Sequence, residues 1–183
     1  MADVVHLSSV SNEWYTPAWL ADAARRALGG KIDLDPASCE TANRSVGAER
    51  IFTKADDGLR RLWAGSVYLN PPYGRSGPRS GAASWLRSAV QRYQAGQIEA
   101  AVILLKAAPG YEWFNTVWDH VSCFLRERVA FTRGDGGASA GLHPCGSVVV
   151  YLGPDPQAFI EAFMPLGEIH LPFRTVAAAL SAS

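Results

Sequence analysis

Four adjacent residues, Asn70-Pro71-Pro72-Tyr73, are the part of this chain best suited to chemistry. Asn70 offers a side-chain oxygen and Pro71 a main-chain carbonyl beside it. Two successive prolines hold the backbone there in one conformation. Two rigid acceptors side by side suit a target amino group, which has two hydrogens to donate. An amine attached to an aromatic ring is a poor nucleophile, because its lone pair is delocalised into the ring. Preorganised acceptors on both hydrogens localise that pair. Tyr73 adds an aromatic face that can stack on the same ring. Asp33, Asp35, Asp56 and Asp57 precede this stretch, and Arg75 and Arg79 follow it. A carboxylate accepts hydrogen bonds from ligand ammonium or hydroxyl groups. Read for structure alone, the tetrapeptide is a turn that ends a strand.

The surrounding elements must position these groups. Residues 67–69 form a short apolar run that reads as a buried strand, stopped by the two prolines. Asn70 then lies past a strand end, the edge at which open α/β sheets bind ligands. Residues 18–28 place Trp19, Leu20, Ala23, Ala24, Ala27 and Leu28 on one helical face, with Thr16 as N-cap and Pro17 in the first position. Ile32 and Leu34 alternate with Asp33 and Asp35, which predicts a short strand ending at Asp35-Pro36. The small Ala37 and Ser38 after it leave room for a ligand near the backbone. A helix over 39–46, a short strand over 50–53 and an acidic turn at Asp56-Asp57-Gly58 follow. Further on, the pattern predicts helices over 84–93, 111–120 and 156–163. It predicts strands over 100–105, 121–131, 147–152 and 167–173, with Arg126-Glu127-Arg128 inside the 121–131 region.

Strands alternating with helices predict an α/β fold with a mainly parallel sheet and helices on both faces. Right-handed crossovers would gather the segments after Asp35, Asp57 and Asn70 at one sheet edge. The interval from Asp35 to Asp57 is too short for a full strand–helix–strand–helix set, so one element is expected to be missing. The predicted organisation is a loose arm over 1–12, one domain over 13–173 and a tail over 174–183.

Composition narrows the function. The net charge is zero and the pI about 6.9, so there is no global electrostatic case for nucleic acid. The basic residues are mostly Arg, which suits phosphate and base contacts in a local patch. The bland account of the same bias is a GC-rich coding sequence. Arg75 and Arg79 lie in a glycine-rich loop, Arg128 in a charged strand region, and Arg133 and His143 in a second glycine-rich stretch. These five, with Tyr73, are the candidate DNA contacts. The cysteines Cys39, Cys123 and Cys145 form no CxxC pair, so no metal site is expected and buried free thiols are the reading. No apolar run is long enough to cross a bilayer and the first residues lack signal-peptide character, which predicts a cytoplasmic protein.

An ordered set of motifs carries a resemblance. Trp14-Tyr15-Thr16-Pro17, Asp33-Leu34-Asp35-Pro36-Ala37, Asp57-Gly58-Leu59, Trp63 and Leu69-Asn70-Pro71-Pro72-Tyr73 occur in this order. Trp113-Phe114, residues 123–131 and residues 147–151 continue it. The chain resembles phage and prophage DNA N6-adenine methyltransferases over roughly residues 13–152. The resemblance implies a Rossmann-like methyltransferase fold, S-adenosylmethionine as cofactor and adenine in DNA as substrate. It implies Asn70, Pro71, Pro72 and Tyr73 as the catalytic motif. It implies that Tyr15, Thr16, Pro17, Asp33, Asp35, Pro36, Ala37, Asp57, Gly58 and Asn70 contact the cofactor, with Asp57 facing its adenine. Two departures stand out: Pro36-Ala37-Ser38 replaces the usual glycine turn, and no large target-recognition domain is present. The competing readings are a methyltransferase for cytosine N4, RNA guanine N2 or protein glutamine, and a non-catalytic DNA-binding protein on the same scaffold. The oligomeric state is open, with a dimer compatible.

Overall fold

The computed structural model describes residues 14–72, 81–132 and 145–172. Their centre is a sheet of β1 (Leu34–Asp35), β2 (Arg50–Ile51), β3 (Ser66–Leu69), β4 (Ala100–Lys106), β5 (Ser122–Leu125), β6 (Ser147–Leu152) and β7 (Gly167–His170). Its spatial order is β2-β1-β3-β4-β6-β5-β7. β2, β1, β3 and β4 pair in parallel, and β6 and β7 run against the rest. This mixed, mainly parallel α/β arrangement is compatible with a Rossmann-like methyltransferase fold.

Both faces of the sheet are covered. On one, α1 (Ala18–Ala27) and α5 (Pro156–Phe163) pack Leu20, Ala23, Ala24, Phe159 and Phe163 against Tyr68, Val102, Leu104, Val149 and Tyr151. α2 (Glu40–Val46) joins this face through Val46. On the other, α3 (Ala82–Gln94) and the short α4 (Asn115–Trp118) pack Trp85, Leu86, Ala89 and Val117 against Val67, Leu69, Ile103, Leu105 and Val150. β4 alternates between the two layers, which explains why its sequence is apolar from Ala100 to Leu105.

The chain steps outward from β1 to β2, then returns to the other side of β1 for β3. The order therefore reverses between β1 and β3, the point past whose carboxyl ends open α/β sheets bind ligands. Asp35 closes β1 and Asn70 follows β3, so the two sit at that switch point. The passage between them is short, as its length predicts. After α2 and the two-residue β2, a single 3-10 turn, Gly58–Arg60, leads back to β3.

That turn is fitted tightly onto the first loop. A Cβ on Gly58 would stand 1.9 Å from the Pro36 carbonyl oxygen. The Trp63 indole donates to the Gly58 carbonyl at 2.8 Å and stacks on Trp85 of α3. Arg92 of α3 lies over the Trp63 ring and donates to the Leu59 and Arg61 carbonyls. The 57–63 segment is thus clamped between the Pro36 loop and α3.

Some local expectations are corrected. Thr16 does not cap α1; Pro17 precedes its first residue and accepts from Leu20 and Ala21, while the Thr16 hydroxyl faces the sheet. The 111–120 helix resolves into a 3-10 turn, Glu112–Phe114, followed by α4, because its aromatic and β-branched residues favour packing over helical regularity. The strand expected over 121–131 stops at Leu125. Its antiparallel partner begins opposite, at Gly167, so Arg126-Glu127-Arg128 lie past the ladder and are exposed. Of the three thiols only Cys123 is buried, where burial pushes it up to about 12; Cys39 and Cys145 are half-buried.

The Gly58 contact can be tested directly. Gly58→Ala is expected to cost about 1–3 kcal/mol in denaturant unfolding, because backbone must move on both sides of the contact. Gly110→Ala, where an added Cβ meets nothing within 4 Å, serves as the near-neutral control.

Candidate active site

The segment before α1 passes directly over the carboxyl end of β3. Tyr15 forms an antiparallel bridge with Thr132: its amide donates to the Thr132 carbonyl at 3.0 Å, and the Thr132 amide returns a bond at 3.2 Å. Trp14 packs edge-on against Phe131, and Ser45 of α2 donates to the Thr16 carbonyl at 2.7 Å. These contacts fix the Trp14 and Thr16 backbones in space.

The Asn70 side chain reaches this segment. Its Nδ2 donates to the Trp14 carbonyl at 2.7 Å and to Thr16 Oγ1 at 3.2 Å. The Trp14 carbonyl can only accept, so the side of the amide facing it must be the NH2 group. Both N–H bonds are then committed inside the protein. The other end, Asn70 Oδ1, is buried and has no hydrogen-bond partner among the described residues. A buried unpaired acceptor is costly, on the order of 1–3 kcal/mol. Its presence at a strand end, at the switch point of the sheet, marks a place where a donor belongs. The Pro71 carbonyl, next along the chain, accepts no bond from the described residues either.

The β1 side offers a second polar centre. Asp35 is 3% exposed and accepts from the Ala37 amide at 3.1 Å. Burial pushes its carboxyl up to about 7, against the opposing effects of the Ala37 amide and the Ser38 hydroxyl. The Ser38 hydroxyl itself is buried without a full hydrogen bond among the described residues. Tyr15 leans toward the same loop, its hydroxyl accepting from the Cys39 thiol at 3.4 Å. Pro36 touches Gly58, so Asp57 comes to this centre too. Asp57 takes a left-handed conformation, φ 51°, and its carboxylate is exposed beside Arg60. Asp56, by contrast, accepts from the Thr53 amide and hydroxyl and pairs with Arg61.

Tyr15, Thr16, Asp35, Pro36, Ala37, Gly58, Asn70 and Pro71 are therefore brought together at one edge, with Pro17 at the start of α1, Asp57 beside them and Pro72 exposed just past Pro71. Asp33 stands apart. It precedes β1 and lies level with Ser66, at the opposite end of the strands from Asn70. Its carboxylate accepts from Lys31, the Ser66 amide and the Ser66 hydroxyl at 2.6–2.8 Å. Partial burial would raise its pKa, but these bonds outweigh that and hold it below the usual carboxylate range. Gly65, with φ +73°, admits this carboxylate where a side chain would collide with it. Arg128 is exposed past β5, while Tyr73, Arg75, Arg79, Arg133 and His143 lie outside the described residues. Among the described residues no group of His, Cys, Asp and Glu could hold a metal ion, and no helix is long and apolar enough to cross a membrane.

Two participants were hidden in the sequence. Tyr68 reads there as one apolar residue of a buried strand, yet its hydroxyl lies 2.7 Å from Thr16 Oγ1. The signal is the type itself: a buried tyrosine needs a partner for its oxygen. Trp14 takes part through its carbonyl, which no sequence pattern announces.

A family model described as DNA N-6-adenine-methyltransferase (Dam) matches residues 5–163. The chain belongs to this family. Dam membership implies DNA adenine-N6 methyltransferase activity in general, use of S-adenosylmethionine and DNA as substrate. Comparison with curated proteins and with solved structures gave no match. The Dam match spans both polar centres, the Asn70 segment and the Asp35 loop.

Asp35 makes stability depend on pH. Its ordinary value is 3.8 and its folded value about 7. Between those values the folded chain holds a proton that the unfolded chain has lost. Stability of the ligand-free protein is expected to fall as pH rises through this window, by on the order of 4 kcal/mol at its upper end. Asp35→Asn should flatten that slope in denaturant unfolding between pH 4.5 and 7.5.

Proposed function

We propose that this protein is a site-specific DNA methyltransferase that transfers a methyl group from S-adenosylmethionine to N6 of an adenine flipped out of its duplex. The observation that supports it best is the Asn70 amide: its NH2 is held by the protein and its oxygen is left bare. Asn70 Oδ1 and the Pro71 carbonyl would accept the two N6 hydrogens. That localises the nitrogen lone pair and aims it, so positioning supplies much of the rate and no ionised base is needed to begin. The Pro71-Pro72 backbone keeps the acceptors from turning away. Tyr73 would stack on the extruded ring and recover part of the few kcal/mol that unstacking costs. Arg75, Arg79, Arg128, Arg133 and His143 would meet the DNA.

The cofactor, when bound, supplies an electrophilic methyl on a positively charged sulfur. The residues on the β1 side fit such a ligand: a buried carboxyl with one partner, an unsatisfied Ser38 hydroxyl, and a Tyr15 ring at the edge. In this reading Asp35 takes up the ligand's ammonium or hydroxyl hydrogens, Pro36, Ala37 and Gly58 admit it against the backbone, and Asp57 faces its adenine amino group. Asp33 is left out, since its carboxylate is committed at the far end of the strand. Thr16 supports Asn70, and Tyr15 and Pro17 border the ligand.

Labelled S-adenosylmethionine incubated with DNA, followed by nucleoside mass spectrometry, should yield N6-methyladenine; N4-methylcytosine or no labelled base would overturn the reading. Asn70→Ala should lower the rate at least ~100-fold, the scale of losing one preorganised polar contact, while cofactor affinity by calorimetry stays within about threefold. Asp35 must give up a proton to bind as a carboxylate. Cofactor affinity should therefore rise with pH up to about 7 and then level off. Asp35→Asn should weaken binding and remove that pH dependence.

A further inference from the structure

Tyr68 occupies the middle of β3 and is 1% exposed. Its strand neighbours Val67 and Leu69 carry no polar atoms, and phenylalanine would fill the same volume without an oxygen to satisfy. That oxygen lies 2.7 Å from Thr16 Oγ1, the same atom that accepts from Asn70 Nδ2. An amide NH2 only donates, so Thr16 must accept there. The Thr16 and Tyr68 hydroxyls then share the 2.7 Å bond between them, and either can donate to the other. The result is a connected chain in which Asn70 N–H donates to the Thr16 oxygen and Thr16 is in turn tied to the Tyr68 oxygen.

We propose that Tyr68 and Thr16 act as a pair of positioning residues whose hydroxyls fix the rotation of the Asn70 amide, so that Oδ1 rather than Nδ2 faces the target amine. The Trp14 carbonyl holds one of the amide hydrogens, and the hydroxyl pair holds the other. Without the Tyr68 oxygen the Thr16 hydroxyl loses this partner and is free to rotate, and its hydrogen can turn toward Asn70, where it competes with the amide for the same space. An amide turned over would present a donor to a donor. Donation of both N–H bonds also polarises the amide, which places more negative charge on Oδ1. The assignment of Oδ1 to the target amine rests on the function proposed above; the locking of the amide does not.

Tyr68→Phe keeps the ring and removes only the oxygen. Its kcat for methyl transfer is expected to fall about tenfold, the scale of one hydrogen bond. KM for S-adenosylmethionine and for DNA should stay within twofold. Thr16→Val should give a similar loss, Thr16→Ser should restore the rate, and the double variant should be no slower than Thr16→Val alone. A readout independent of activity is the Asn70 side-chain amide signal in a nitrogen-15 spectrum, identified by its loss in Asn70→Ala. Tyr68→Phe should shift it and speed its hydrogen exchange. An unchanged kcat, a raised cofactor KM with kcat retained, or an unmoved amide signal overturns the pair's role. If the wild-type protein methylates no adenine, the functional reading fails separately. The amide signal then decides the locking by itself: a shift supports it and no shift overturns it.

Discussion

The site depends on one constraint: the Asn70 amide has both of its hydrogens held by the segment that precedes α1. A primary amide carries a donor and an acceptor of nearly equal size, and in water it presents either end. Here the Trp14 carbonyl and the Thr16 hydroxyl remove that freedom. The acceptor left over is buried and unpaired. Such an atom lowers stability until a ligand satisfies it, so the fold stores at this point part of what a bound amine would release.

Two distant stretches must meet for that constraint to exist. The 14–16 segment is held by Thr132 on one side and Ser45 on the other, and it reaches Asn70 only because β3 ends below it. The reversal of strand order between β1 and β3 places Asp35 alongside. Two acids two residues apart, Asp33 and Asp35, then serve opposite ends of one short strand. Asp33, tied to Lys31 and Ser66, holds β1 to β3 as a paired and ordinary charge. Asp35, sealed from water with few donors, has its carboxyl pushed up to about 7, so near neutral pH it carries a proton about half the time.

Much of this was legible in the sequence, for physical reasons. The unbroken apolar run of β4 signals burial on both faces. The strand-ending prolines place Asn70 at a sheet edge, and the short span from Asp35 to Asp57 predicts a missing element. Pattern failed where tertiary partners decide. Thr16 has the type and position of an N-cap, but a tyrosine in the sheet and an asparagine past it compete for its hydroxyl and prevail. Asp33 and Asp35 are equivalent in composition, and only the strand register separates them. The charged run 126–128 reads as one face of a strand, yet the ladder ends at Leu125 and Gly167, with only the Arg126 amide reaching back to the Leu166 carbonyl. Tyr68 was hidden because an aromatic in a buried strand looks like core whether or not its oxygen matters.

The acceptor that holds Asn70 from the N-terminal side belongs to the main chain. Every amino acid brings a carbonyl, so no single codon change at position 14 deletes this contact. Drift in the tryptophan ring would alter its packing against Phe131 and leave the group facing Asn70 chemically unaltered. The amide's orientation is therefore insulated from point mutation on one side and exposed to it on the other, where a side-chain hydroxyl does the holding. Two residues thus hold the same nitrogen, one through a side chain that its residue type dictates and one through a group that every residue type supplies.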